Sequence, residues 1–464
     1  MVNAVDFAGR PFHFIGVGGI GMSALAYILA QKGFQVSGSD VRPNHITHKL
    51  ESIGVNFFGK QEAANLEFFK VDSLKEESKD TTPQVVCSTA INASNLEYKA
   101  ALEKGCPIFH RSDILAALIS QYKSIAVAGT HGKTTTSSMI GYMLLQAGVD
   151  PTIIVGGEVK AWEGNARLGE SPYLVAEADE SDGSLVKHSP EIGIITNIEL
   201  DHPDHYDTLD EVVNIFKTFT NQCKTVVACI DCENVSERFQ PDISYSLSPD
   251  TGADYYATNI DYRADGTTAL VWEKGIALGV LNLAVLGHHN LSNALAAVAI
   301  GRMLGLEFGE IARGLATFEG ARRRFEFRGE VDGITFIDDY AHHPSELSAT
   351  LAAARLQARP GQRVVAIFQP HRYSRTQAFL GEFAKSFNHA DLVVLTDIYS
   401  AGEANTGLIS GEKLAAEVGL HHSNVEFHST LADIRLFLEQ NLRPGDLALF
   451  LGAGNLNQTI PQII

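Results

Sequence analysis

The chain has 464 residues, 45% of them hydrophobic, enough for about three domains with buried cores. A formal net charge of −19 argues against nonspecific binding to nucleic acid or to an anionic membrane, although a local glycine-rich loop can still take an anionic ligand. Residues 1–6 show no basic-then-apolar leader and no apolar run approaches about 18 residues, so the chain reads as a cytoplasmic protein without membrane insertion.

In chain order, Phe12–Ile15 reads as a strand. It runs into Gly16-Val17-Gly18-Gly19-Ile20-Gly21, a G-x-G-x-x-G, and a helix over 22–30 that Gly33 ends. Residues 35–40 read as a second strand whose acidic end, Asp40, lies about 20 residues beyond the glycines, as in a dinucleotide fold. Three readings stand at this point: NAD binding, binding of some other nucleotide diphosphate, or a strand–helix turn with no ligand. Strands are also expected at 83–90 and 107–110. Arg111, directly after the latter, faces either phosphate or water. Residues 76–82 read as a polar exposed loop.

The most informative stretch follows the apolar run 124–127. Gly129-Thr130-His131-Gly132-Lys133-Thr134-Thr135 leads into a helix over 137–145. Strand, glycine turn, Gly-Lys-Thr and helix form the order of a phosphate cradle. Backbone N–H groups and a helix N-terminus meet phosphate oxygens, Lys133 adds a charge, and Thr134 offers a hydroxyl to Mg²⁺. The loop is shortened, because the usual first glycine position is Val127.

Three later strands also end in polar groups, where an α/β sheet places its ligand contacts. Residues 172–177 deliver Glu177-Ala178-Asp179-Glu180-Ser181-Asp182, with Glu177 the best-placed metal ligand. Residues 192–200 deliver Asp201-His202-Pro203-Asp204-His205. Residues 333–337 deliver Asp338-Asp339-Tyr340-Ala341-His342-His343-Pro344, with Pro344 suited to a first helical turn. Asn290 and Asn293 share a helix face; they either contact an adenine edge or, for Asn290, cap the helix. The run Arg322-Arg323-Arg324 is either surface or a phosphate contact. Strands at 362–368, 392–399 and 447–451 complete a third α/β unit, with His371, Arg372 and Arg375 after the first of them. The five cysteines are odd in number. Cys229 and Cys232 have C-x-x-C spacing without a second pair, so they read as incidental thiols.

Jointly these motifs resemble the Mur ligase family, ATP-dependent amide-forming enzymes of peptidoglycan synthesis, over nearly the whole chain. The shortened phosphate loop, Glu177–Asp182, Thr196-Asn197 with Asp201-His202, Gly287-x-His289-Asn290-x-x-Asn293, Arg323-Arg324-Phe325 and Asp338–Pro344 carry the likeness. It implies an α/β fold of three domains: a Rossmann-like UDP-sugar domain at 1–122, a central P-loop-type ATPase sheet at 123–323, and a Rossmann-like C-terminal domain at 324–464. The glycine turn at 16–23, residues 320–325 and Phe368-Gln369-Pro370-His371-Arg372-Tyr373-Ser374-Arg375-Thr376 are similar to the branch that joins L-alanine to UDP-N-acetylmuramate. A second branch, which recycles murein tripeptide, shares the glycine turn.

By this resemblance the first domain takes UDP rather than NAD, through Gly18, Ile20, Gly21 and Asp40. ATP is held by Gly129, Thr130, His131, Gly132, Lys133, Thr134, Thr135, Asn290, Asn293, Arg324 and Asp339. Mg²⁺, in two sites, is held by Thr134, Glu177 and His202. The catalytic set is Lys133, Glu177, His202, His342 and Arg372, with His371, Arg372 and Arg375 toward the amino acid. Several sister ligases carry a carbamylated lysine near the second metal; Lys217 is one position off, and no modification is assigned to it. Monomer and homodimer both stay open. Two readings from other classes are an NAD-dependent oxidoreductase with an accessory phosphate loop and a nonenzymatic nucleotide-binding regulator.

Overall fold

The computed structural model describes residues 4–69 and 82–464. The first three residues and most of the expected polar loop at 76–82 lie outside the described residues. By contact, the chain divides into two compact units: Met1–Gly129, Ile140–Ile195 and Asn214–Val227 form one, and Thr130–Met139, Thr196–Val213 and Ala228–Ile464 the other.

In the first unit, β1 (Phe12–Ile15), β2 (Val36–Ser39), β3 (Asn56–Phe58), β4 (Gln84–Cys87) and β5 (Ile108–His110) form a sheet in the order β3-β2-β1-β4-β5. All pairings are parallel. Phe12, Phe14 and Ile15 are fully buried, as strands covered on both faces must be. The strand order reverses between β1 and β4, the place where such sheets leave a ligand crevice at their C-terminal ends. Helix α1 (Ile20–Gln31) starts there, and Gly33 follows it with a φ of +88°, the left-handed turn that glycine permits.

The same unit holds β6 (Lys123–Ala128), β7 (Thr152–Val159), β8 (Gly164–Arg167), β9 (Tyr173–Glu177) and β10 (Ile192–Ile195). β6 lies parallel between β9 and β10, β7 pairs parallel with β9, and β8 closes the edge antiparallel to β7. Helix α2 (Lys133–Gln146) follows the glycine turn after β6. β11 (Thr225–Cys229) comes next in the chain.

The second unit contains β12 (Ile243–Ser246), parallel to β13 (Tyr255–Arg263), and an antiparallel meander of β13, β14 (Gly266–Glu273) and β15 (Ile276–Leu283). Sequence reading did not anticipate this meander. Helix α3 (His288–Met303) follows it. The last sheet comprises β16 (Glu326–Val331), β17 (Ile334–Asp339), β18 (Val364–Phe368), β19 (Leu392–Leu395), β20 (Val425–Phe427) and β21 (Leu447–Leu451), in the order β16-β17-β21-β18-β19-β20. Only its edge strand β16 is antiparallel. Along β18, Val364, Ala366 and Phe368 enter one apolar layer and Val365 and Ile367 the other, as the two-residue period of a strand requires. Helix α4 (Pro344–Gln357) leaves β17 with Pro344 in its first turn, as predicted. Among the described residues, no helix is long and apolar enough to cross a membrane.

Candidate active site

The phosphate loop is built by cross-bracing to the segment after β10. Thr130 N–H donates to Asn197 O at 3.0 Å, and Glu199 N–H donates to Thr130 Oγ1 at 2.9 Å. His131 N–H donates to Asn197 Oδ1 at 2.8 Å, while Thr196 Oγ1 donates to His131 O at 2.6 Å. Lys133 Nζ reaches back to Thr130 O at 3.1 Å. Gly132 has a φ of +82°, and a Cβ there would sit 2.8 Å from Asn293 Oδ1, so only glycine fits.

Beside the loop lies a cavity of about 670 Å³, a volume suited to a nucleotide. His131, Gly132, Thr135, Asn290, Asn293, Arg324 and Asp339 all line it, which brings together seven of the eleven residues expected at ATP. The cap of α3 is Gly287. Asn290 sits inside the helix, donating to Leu286 O at 2.8 Å, so the capping role foreseen for it falls to the glycine. Asp339 accepts from Phe325 N–H at 2.7 Å and Ala341 N–H at 2.8 Å, and so shapes the turn around Arg324. Burial lifts its carboxyl to about 6, against the pull of Arg324 and those two N–H groups. Cys229 and Cys232 also line the cavity as free thiols, and burial pushes Cys229 up to about 11.

His131 occupies the turn of the loop. Its Nδ1 lies 3.3 Å from Glu346 and its Nε2 3.5 Å from Glu199, and its ring packs on His343 with centroids 4.7 Å apart. Burial alone would lower its pKa, but hydrogen bonds to Glu199 and Glu346 outweigh that and hold it at about 10. His131, Glu199 and His343 have donor atoms within 4.8 Å of one another, a spacing that suits a metal. His131 also pairs with Glu346, so the group is part of a wider ion-pair network.

The histidines and arginines expected toward the substrate and the second metal also converge. Arg375 is 2% exposed; its Nε donates to Asp201 Oδ1 at 2.8 Å, and its other nitrogens lie 3.3 Å from His371 and 3.4 Å from His202. Burial would raise Asp201, but Arg375, His202 and His342 hold it well below the usual carboxylate range. His371 stacks on Tyr399 and lies 5.9 Å from His342, ring to ring. Burial, with His342, Arg375 and Arg372 alongside, lowers His371 to about 3 and keeps it neutral. Arg372 lies 3.2 Å from both Asp204 and Glu403. His202, Arg323, Phe325 and Arg372 all adopt positive φ, between 52° and 71°. Non-glycine residues in that region cost about 1–3 kcal/mol each and tend to gather at functional sites.

In the first unit, Glu177 ends β9 in register with Val127 of β6. Its Oε2 accepts Gly156 N–H at 2.7 Å, and a Cβ at Gly156 would come within 2.6 Å of Oε1, so the carboxylate rests on bare backbone. The glycine turn after β1 is braced by Asp40, which accepts from Gly18 N–H at 3.0 Å and Arg42 N–H at 2.9 Å. Ile20 is exposed at the start of α1, and Gly21 lies beside Arg111. Arg111, expected to face either phosphate or water, pairs with Asp182 at 3.2 Å and Asp179 at 3.5 Å. Lys217 is exposed on the helix Leu209–Gln222.

Three family models cover the chain in sequence: the Mur ligase family catalytic domain at residues 11–123, the Mur ligase middle domain at 127–301, and the Mur ligase glutamate ligase domain at 323–454. The chain belongs to the Mur ligase family. It is 75% identical, over 100% of its length and 98% of the relative's, to a UDP-N-acetylmuramate–L-alanine ligase of Nostoc punctiforme. Among solved structures it matches a UDP-N-acetylmuramate-alanine ligase from Thermotoga maritima at 28% identity, with a TM-score of 0.81 and 98% of each chain covered. A murein peptide ligase from Psychrobacter arcticus shares the fold, at 23% identity, a TM-score of 0.71 and 98% coverage of both chains. The three-domain α/β architecture of Mur ligases is therefore that of this chain.

Two carboxylates of this Mur ligase site escaped sequence reading. Glu346 stands three residues after the helix cap His343 and closes a capping box with it, a structural pattern that carries no signal of chemistry. Glu403 lies far along the chain from Arg372 and Ser374, and nothing in its neighbours signals that it binds both.

Proposed function

We propose that the chain joins L-alanine to the lactyl carboxylate of UDP-N-acetylmuramate, using ATP, to give UDP-N-acetylmuramoyl-L-alanine, ADP and phosphate. The observation that carries this reading is the 75% identity, over the full chain, to a ligase of that name. The cavity beside the phosphate loop and the buried arginine–histidine cluster suit the chemistry.

A carboxylate resists attack by an amine, because oxide is too poor a leaving group. The γ-phosphoryl group of ATP therefore passes first to a lactyl carboxylate oxygen, releasing ADP. The amine of L-alanine then attacks the acyl carbon, and the tetrahedral adduct expels inorganic phosphate. Positioning and charge neutralisation supply most of the rate. Lys133 and the N–H groups of Gly129 to Thr135 hold the ATP phosphates. Asn290 and Asn293 meet the adenine, Arg324 reaches phosphate, and Asp339 lies toward the ribose. Gly18, Ile20, Gly21 and Asp40 form the UDP end. His342 and Arg372 orient the lactyl carboxylate, and His371, Arg372 and Arg375 take the amino acid. Neutral His371 accepts a hydrogen bond there without repelling an ammonium group.

Hydroxyl and carboxylate oxygens fit Mg²⁺, and the bare backbone at Gly156 fixes the Glu177 carboxylate in place. By the family resemblance, Thr134, Glu177 and His202 would supply the metal donors. When bound, Mg²⁺ neutralises charge on the transferred phosphoryl group. The domains divide as 1–122 for the UDP-sugar, 123–323 for ATP, and 324–464 for the amino acid, in a cytoplasmic enzyme of cell-wall precursor synthesis.

The alternative within the family, attachment of a whole tripeptide, is separated by one assay. Phosphate release is followed with purified protein, ATP, Mg²⁺, UDP-N-acetylmuramate and either L-alanine or L-alanyl-γ-D-glutamyl-diaminopimelate. Release that depends on L-alanine is expected. Release that depends on the tripeptide alone would overturn the choice of substrate, and no ATP use with either would overturn the activity.

A further inference from the structure

We propose that Glu346 is a positioning residue for phosphoryl transfer, tying the phosphate loop, through His131, to Arg324 and His342 of the C-terminal segment. The inference rests on the reading of that loop as the ATP site. Glu346 is the third residue of α4, and its side chain is 13% exposed. Oε1 lies 3.3 Å from His131 Nδ1 and 3.9 Å from Arg324 Nη1. Oε2 lies 3.1 Å from His342 Nδ1 and accepts the N–H groups of His342 at 3.0 Å and His343 at 3.3 Å. One carboxylate thus meets side chains from three separate stretches of chain, each expected at ATP or at the acyl acceptor.

A helix cap explains only part of this. Closing the first turn of α4 needs an acceptor for the N–H of His343, which a neutral amide supplies equally well. The negative charge answers to His131 and Arg324. Burial would raise the Glu346 carboxyl, yet His342 and His131 hold it well below the ordinary range. The titratable and charged groups around His131 are Glu199 from the segment after β10, Glu346 and the cap His343 from α4, Lys133 from its own loop, and Arg324 beyond Glu346. Glu199 also accepts from Ser345 Oγ at 2.7 Å, so α4 grips the loop region at two points. Cations fixed in place before the phosphoryl group moves need no reorganisation when its charge spreads, and holding them is what a positioning carboxylate contributes.

The test compares the full chain with Glu346→Gln, His131→Gln and the double variant. Glu346→Gln keeps the capping acceptor and removes the charge. His131→Gln removes the other end of the contact and leaves the cap intact. Each single variant is expected to lose about 10- to 100-fold in kcat, with KM for UDP-N-acetylmuramate within about twofold of the parent. The double variant should be no more than about twofold worse than the worse single, because both remove one interaction. NMR of ¹⁵N-labelled histidine gives a readout independent of turnover: the His131 ring should stay protonated at pH 8 in the parent and lose its proton below pH 8 in Glu346→Gln. Unchanged kcat in Glu346→Gln, multiplicative losses in the double variant, or a His131 ring indifferent to residue 346 would each overturn the proposal. If Glu346→Gln does not fold, an undiminished kcat in His131→Gln overturns it alone. A parent protein that releases no phosphate at all would instead contradict the assignment of the activity, while the NMR result would still judge the contact.

Discussion

At the scale of single residues, the phosphate loop depends on charges that only the folded chain assembles. His131 is held at about 10 and Glu199 at about 2, each shifted by the other after burial has opposed both. A histidine raised on folding contributes stability that is complete below its unfolded value, near 6.5, and is lost as pH climbs through 10. A carboxylate lowered on folding contributes stability that is complete above about 4.5 and is lost as pH falls toward 2. The His131 contribution should therefore be greatest between pH 4.5 and 6.5 and decline on both sides. Urea unfolding of the parent and of His131→Gln across pH 2–10 measures it. A difference of about 1–2 kcal/mol in that window is expected, kept small because Glu199 is partly exposed to solvent. A difference that is flat with pH would contradict the ion pairing.

At the scale of elements, strand ends carry the chemistry. β1 and β6 each run into a glycine turn, and β9, β10, β17 and β18 each deliver a polar cluster at the C-terminal end. Those clusters were legible because an apolar run followed by glycine, carboxylate or histidine is a strong pattern in an α/β chain. The phosphate loop, Glu177 and the arginines after β18 were visible this way, and Asn290 with Asn293 through their shared helix face. The meander of β13 to β15 was not, because its exposed edge mixes polar and apolar residues: Ile276 and Val280 face solvent, and the alternation that marks a half-buried strand is blurred. Glu346 was hidden for a different reason. Its pattern is that of a cap, and only the fold brings His131, more than two hundred residues earlier, to the same carboxylate. A prediction belongs to β7 and β9 together. Alanine at Gly156 would press a methyl group against the Glu177 carboxylate, the mobile end of a side chain, so the sheet should survive while the carboxylate turns away. The Mg²⁺ concentration giving half-maximal rate should rise by about tenfold with an unchanged circular dichroism spectrum. An unchanged Mg²⁺ requirement would remove Glu177 from the metal-binding set.

At the scale of the whole molecule, the strongly acidic chain gathers arginines and histidines into a buried cluster around Arg375. Within the second unit, the phosphate loop and the C-terminal sheet are joined by the Glu346, Glu199 and Asp201 contacts. That arrangement suits a reaction in which a phosphoryl group leaves ATP for a carboxylate and an amine then displaces it. The family model matches and the full-length likeness establish what kind of enzyme the chain is related to; the order of bond changes turns on an acyl phosphate. It is tested most directly by labelling both oxygens of the lactyl carboxylate of UDP-N-acetylmuramate with ¹⁸O and analysing the phosphate released with L-alanine by mass spectrometry. Transfer of the γ-phosphoryl group to the carboxylate predicts one ¹⁸O in each phosphate released and one retained in the new amide. Phosphate free of ¹⁸O would contradict it.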